Sequence, residues 1–131
     1  CGGGVLERHP DLRVALLEGN CSWAPGLLGR LDEHYQWTGW FEGGDLKMKP
    51  SEYFRRQCFL GVEAEEATAT HYLEWFGDDN LVFSTDYPHG DSQYPHAVDT
   101  FDKMPFPDES KKKICGDNWE RLYKIPLVKH T

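Results

Sequence analysis

Short apolar stretches alternate with longer amphipathic ones along this chain, and each apolar stretch runs into an acid. Leu12 to Leu17 reads as a strand ending at Glu18-Gly19-Asn20, entered through the turn signal His9-Pro10-Asp11. Gln57 to Val62 reads as a second strand, closed by Glu63, and Leu81 to Thr85 as a third, closed by Asp86. Between the first two, Ser22 is suited to cap a helix that tolerates Pro25 in its first turn. Trp23, Leu27, Leu28, Leu31 and Tyr35 share one face of that helix. Gly39 to Gly44 reads as a loop and Pro50 to Arg56 as a short helix. Ala64 to Phe76 carries Ala67, His71, Tyr72 and Trp75 on one side of a helix that Gly77 closes. Pro95 to Met104, Asp108 to Cys115 and Asn118 to Tyr123 complete the helices, with Asn118 as the expected cap of the last.

Strand and helix alternate three times, which predicts an α/β fold with parallel pairing through long crossovers. In parallel units the carboxyl ends of the strands share one face, so Glu18, Glu63 and Asp86 are expected on one side of the sheet. The third end is the most informative. Leu81-Val82-Phe83-Ser84-Thr85 runs into Asp86, and Pro88 and Gly90 stop regular structure beyond it. A carboxylate opening a loop at a buried strand end sits where α/β proteins place their chemistry.

Composition narrows the function classes. The chain has 131 residues, a formal net charge of −8 and five Trp. That length suits one modest core, and the acidity argues against nucleic acid and anionic membrane surfaces as partners. No apolar run is long enough to span a bilayer. Cys1, Cys21, Cys58 and Cys115 form no C-x-x-C pair, so they predict reduced thiols in a cytoplasmic protein and not a structural zinc site. The run Lys111-Lys112-Lys113 reads as a solvated helix face, and His9, His34, His71, His96 and His130 as surface or interface residues.

Several segments carry a resemblance. Gly4-Val5-Leu6-Glu7-Arg8-His9-Pro10-Asp11-Leu12, Glu18-Gly19-Asn20-Cys21-Ser22-Trp23-Ala24-Pro25 and Leu28-Gly29-Arg30-Leu31-Asp32 follow one another in the order seen in the amidohydrolase-related family. Phe83-Ser84-Thr85-Asp86-Tyr87-Pro88-His89 and Gly116-Asp117-Asn118-Trp119-Glu120-Arg121 continue it. That family, which includes aminocarboxymuconate semialdehyde decarboxylase, is similar over nearly the whole chain.

The resemblance implies the C-terminal three units, strands six to eight, of a metal-dependent (β/α)8 barrel, as a single partial domain over 1–131. A barrel of eight units needs about 200 residues or more, so this chain cannot close one. The family's H-x-H motif is absent from these residues. By resemblance Asp86 is the strand-eight aspartate that binds the divalent metal, zinc before manganese, or takes a proton from its water. Glu18 stands where the decarboxylase branch carries a catalytic His, which turns the expectation toward metal-dependent hydrolysis, with non-oxidative decarboxylation or an inert scaffold as alternatives. His89 is a candidate for the pocket or the shell around the metal, and Asn20 and Trp23 for substrate contact, although Trp23 also fits the helix's apolar face and core packing is preferred for it. A small-molecule substrate is expected. So is self-association, or association with the rest of a barrel, because three units alone leave strand edges open. The 131 residues alone are expected to bind metal weakly and turn nothing over.

Overall fold

A computed structural model describes residues 1–42 and 46–126. Its centre is a parallel sheet of three strands, β1 (Val14–Leu16), β2 (Cys58–Val62) and β3 (Leu81–Phe83), in the order β1-β2-β3. Val14 pairs with Cys58 and Leu16 with Leu60; Leu60 in turn pairs with Leu81 and Val62 with Phe83. The helices are α1 (Val5–Arg8), α2 (Ala24–Glu42), α3 (Pro50–Gln57), α4 (Ala69–Phe76), α5 (Ala97–Asp102), α6 (Asp108–Lys112) and α7 (Asn118–Tyr123). One π-type turn, Lys113–Asp117, joins α6 to α7. The alternation expected from the apolar pattern is present, and the class is α/β. The sheet is an open arc that does not close on itself.

Every residue of β2 and β3 is buried, as befits strands covered on both faces. Leu60, Val62, Leu81 and Val82 are nearly inaccessible, and each contributes about 1.5–3 kcal/mol by leaving water. β1 is different: it lies at the edge, and Leu12, Leu16 and Leu17 are exposed beside it. Asn80 ties the bottom of the sheet together, its Nδ2 donating to the carbonyls of Arg55 (2.9 Å) and Cys58 (2.5 Å).

Several boundaries differ from expectation, four of them for local reasons, while α5 and α6 are shorter than the expected Pro95 to Met104 and Asp108 to Cys115. The strand expected over Leu81 to Thr85 stops at Phe83, because the Ser84 hydroxyl accepts the Asp86 N–H and turns the chain. The first strand is three residues of the six expected, and the short α1 before it was not foreseen. Helix α2 runs through Gly39, where a loop was expected. A Cβ at Gly39 would fall 2.5 Å from the Tyr35 ring, so this glycine makes room for an aromatic ring within the helix. Residues 43–45 of the expected loop lie outside the described residues. Helix α4 starts at Ala69 instead of Ala64, since turns closed by Glu66 N–H to Glu63 O and Ala69 N–H to Glu66 O precede it.

Candidate metal centre at the strand ends

The carboxyl ends of the three strands open into one cavity of about 300 Å³. Glu18 and Asn20 reach it from the β1 end, Gly61 and Glu63 from β2, Ser84, Asp86, His89 and Asp91 from the β3 end, and Trp119 from α7. A larger hollow of about 490 Å³ beside Tyr35 and Lys47 has one acid, Glu52, among its lining residues and gathers no ligating cluster.

The chain leaves β1 and β3 in the same way. Glu18 (φ 57°), Asn20 (φ 56°) and Asp86 (φ 57°) are all left-handed, a backbone state that costs an L-residue roughly 1–2 kcal/mol and is easiest for Asn and Asp. Such conformations cluster where a fold aims side chains at chemistry. Here they bring Glu18, Asp86 and His89 together: one ligand atom from each lies within 4.8 Å of the others. His89 Nδ1 lies 2.9 Å from Asp86 Oδ1, and the His89 backbone N–H donates to the Asp86 carbonyl at 3.0 Å. Two carboxylate oxygens and an imidazole nitrogen suit a divalent ion of the manganese or zinc kind. A third acid borders the group. Glu63 is exposed at the cavity rim, yet partial desolvation raises its carboxyl above the ordinary range, and the charges of Glu66, Asp86, Asp91 and Glu65 add to that rise.

The sequence-based candidates fall unevenly. Glu18, Asn20, Asp86 and His89 line the cavity together. Trp23 does not. It is 39% exposed and lies beside Leu27, Leu28 and Leu31 on another hollow. Its Nε1 donates to the carbonyls of Gly19 (2.8 Å) and Asn20 (3.0 Å), holding the turn after β1. Asn118 is not the cap of α7, a place Asp117 holds. It is 1% exposed, and its Nδ2 donates to the carbonyls of Asp78 and Leu81, both at 2.7 Å. The lysine run is not simply solvated, for Lys113 pairs with Asp78 (2.8 Å) and Asp79 (3.0 Å) and the Lys111 head group reaches Asp102. His9, His34, His71 and His96 are exposed; His130 lies outside the described residues.

Two residues were missed. Trp119 brings its ring to the cavity wall, with Nε1 donating to the Phe83 carbonyl at 3.1 Å. Glu66 lies just behind Glu63 and is buried, at 7% exposure. Neither has a sequence signal beyond the strand-end acid three positions before Glu66 and the closing segment that contains Trp119. The four thiols are free: Cys21 and Cys58 are buried, and burial pushes Cys58 up to about 11.

Comparison with known proteins bears on this geometry. The chain is 28% identical over 127 residues to the gamma-resorcylate decarboxylase of Polaromonas sp. (strain JS666 / ATCC BAA-500), a match over 95% of this chain and 38% of that relative. The structure superposes on 5-carboxyvanillate decarboxylase from Sphingomonas paucimobilis with a TM-score of 0.77 and 30% identity, covering 94% of this chain and 37% of that one. It also superposes on a dihydroxybenzoic acid decarboxylase from Polaromonas sp. JS666, solved with manganese and 2-nitroresorcinol, with a TM-score of 0.74 and 25% identity over 94% and 37%. The chain thus spans a little over a third of the length of the proteins it matches. The three-strand arc answers to part of their fold and not the whole. A family model described as Amidohydrolase matches residues 2–125, and on that match, running through all three strands and the cavity they open, the chain belongs to the amidohydrolase family.

Proposed function

We propose that residues 1–131 are one partial domain supplying the strand-end metal site of a non-oxidative decarboxylase acting on a small aromatic carboxylic acid. The observation that carries this reading is the convergence of Glu18, Asp86 and His89 ligand atoms within 4.8 Å, at the mouth of a cavity walled by Trp119. Decarboxylase relatives, one solved with manganese, favour this chemistry over the hydrolysis expected from Glu18, and manganese over zinc. Glu18, Asp86 and His89 would hold the ion. A divalent cation there supplies positive charge that binds and orients an anionic substrate.

The chain's own groups do the rest. The bond from the ring carbon to the carboxylate breaks, its electron pair stays on the ring carbon, and carbon dioxide leaves. The ring carbon then takes one proton. Glu63, raised above the ordinary carboxyl range by partial desolvation and its acidic neighbours, is the group suited to hold that proton. Trp119, its N–H engaged by the Phe83 carbonyl and its ring stacked on Tyr123, adds aromatic surface to the cavity lining that suits an aromatic substrate. The free edge of β1 and the exposed Leu12, Leu16 and Leu17 suit an adjoining βα unit, so turnover belongs to the whole protein. Four free thiols suit a reducing compartment, and no helix among the described residues is long and apolar enough to cross a membrane.

Hydrolysis is the second reading, favoured by Glu18 itself, an acid able to take a proton from water at the cavity mouth. One experiment separates the two. The protein is supplied with Mn²⁺ and offered 2,6-dihydroxybenzoate and 5-carboxyvanillate, with released carbon dioxide measured, and in parallel a panel of lactones and amides. Metal-dependent carbon dioxide release that Asp86→Asn abolishes supports decarboxylation. Metal-dependent hydrolysis without carbon dioxide supports the second reading, and a protein that takes up no divalent metal defeats both.

A further inference from the structure

Glu66 is a buried acid that does not line the cavity, yet it is aimed at the turn that presents one of the ligand candidates. Its Oε1 accepts the Cys21 N–H at 2.9 Å, the Ser22 N–H at 2.9 Å and the Ser22 hydroxyl. Its Oε2 receives the Cys21 thiol at 3.5 Å. These four donors belong to the two residues that follow Glu18-Gly19-Asn20. Thr68 extends the contact, its Oγ1 lying 2.6 Å from Ser22 Oγ.

We infer that Glu66 is a positioning residue that straps the β2–α4 loop to the turn after β1 and thereby aims Glu18 at Asp86 and His89. Three observations support this beyond a capping role. Glu18 and Asn20 are both left-handed, a state that neighbouring contacts must hold. The turn is fixed from both sides, by Glu66 on Cys21 and Ser22 and by the Trp23 indole on Gly19 and Asn20. Finally, the groups that converge on Glu66 are donors, which calls for an acceptor-only carboxylate; a Gln amide would point N–H groups at one of them. Burial, with the neighbouring Glu66 charge, raises the Cys21 thiol, so it stays protonated as a donor.

This inference rests on the metal-site reading above, so the test is built to tell the two failures apart. Mn²⁺ affinity is read from the loss of the free-ion electron paramagnetic resonance signal in a double-mutant cycle of Glu66→Leu and Glu18→Gln. Glu66→Leu should weaken Mn²⁺ binding about tenfold when Glu18 is present and less than about twofold when Glu18 is already Gln, the scale on which partners of ligands act. Glu66→Gln, which keeps the shape if the Leu variant does not fold, should give the same sign at about threefold. Equal losses in both backgrounds, or none, overturn the positioning role and leave Glu66 a structural cap. If the unaltered protein binds no Mn²⁺, the metal reading fails by itself and amide exchange decides the strap. Glu66→Gln must then speed exchange over residues 18–20 without speeding it in β3; unchanged exchange there overturns it.

Discussion

Replacing Asp86 by Asn should stabilise the metal-free protein and abolish its response to metal. Asn is the right probe because Asp86 is left-handed, a state Asn adopts at least as readily, and its Oδ1 can keep its place beside His89 Nδ1. What is lost is one negative charge within 4.8 Å of the Glu18 carboxylate. Two like charges at that distance repel by about 3.5 kcal/mol at an effective dielectric constant of 20 and by about 0.9 kcal/mol in water. Both groups reach solvent, so the lower figure governs, at about 1 kcal/mol. For a chain of this length that is a rise of about 3–4 °C in melting temperature. Metal acts in the opposite sense. At a hundred times its dissociation constant an ion adds about 2.7 kcal/mol to the protein that binds it, roughly 10 °C, and almost nothing to the variant. The assay is thermal unfolding by calorimetry, once in EDTA and once with Mn²⁺. A variant that melts lower in EDTA, or gains as much from Mn²⁺ as the unaltered protein, would refute the reasoning.

Glu63→Gln should raise the melting temperature in EDTA at pH 7 and leave it unchanged near pH 3.5. The sign follows from the raised carboxyl: the folded state binds this proton more tightly than the unfolded one, so stability falls as pH rises through the unfolded value of 4.5 toward the folded one, and Gln removes that loss. Asn118→Leu leaves the carbonyls of Asp78 and Leu81 unpaired in the interior and should cost about 2–5 kcal/mol in urea unfolding, while Asn118→Asp at neutral pH should not rescue it. A thiol reagent at pH 7.5 should modify exposed Cys115 while Cys21 and Cys58, buried and shifted toward the protonated form, react only on unfolding; mass mapping of the labelled sites checks this.

What could be read from the chain was whatever local chemistry dictates. Apolar runs ending at Glu18, Glu63 and Asp86 gave three parallel strands with acids at one end, because period and turn residues act over a few positions. His89 was placed near Asp86 by sequence distance alone. Tertiary demands overrode the rest. Ala64 to Thr68 has helical composition, but Glu66 turns inward to serve Cys21 and Ser22, some 45 residues away, and the helix begins only after it. Gly39 reads as a breaker until the Tyr35 ring is seen to need its missing Cβ. Trp23 and Asn118 matched familiar patterns, an apolar face and a cap, yet each spends its polar atoms on carbonyls that no pattern reveals.

Glu18 and Asp86 follow strands that do not touch, with β2 lying between them. Neighbouring strands stand about 4.8 Å apart, so the two outer ones are separated by roughly twice that. Their ligand atoms nevertheless come within 4.8 Å. They must lean inward across the middle strand, which lines the cavity beside them with Gly61 and Val62, and at Gly61 an added Cβ would stand 3.4 Å from the Glu18 backbone nitrogen. The middle strand therefore works as a thin spacer: with no side chain at 61, the turn that carries Glu18 packs within van der Waals reach of its backbone, and the flanking acids close the remaining gap from either side.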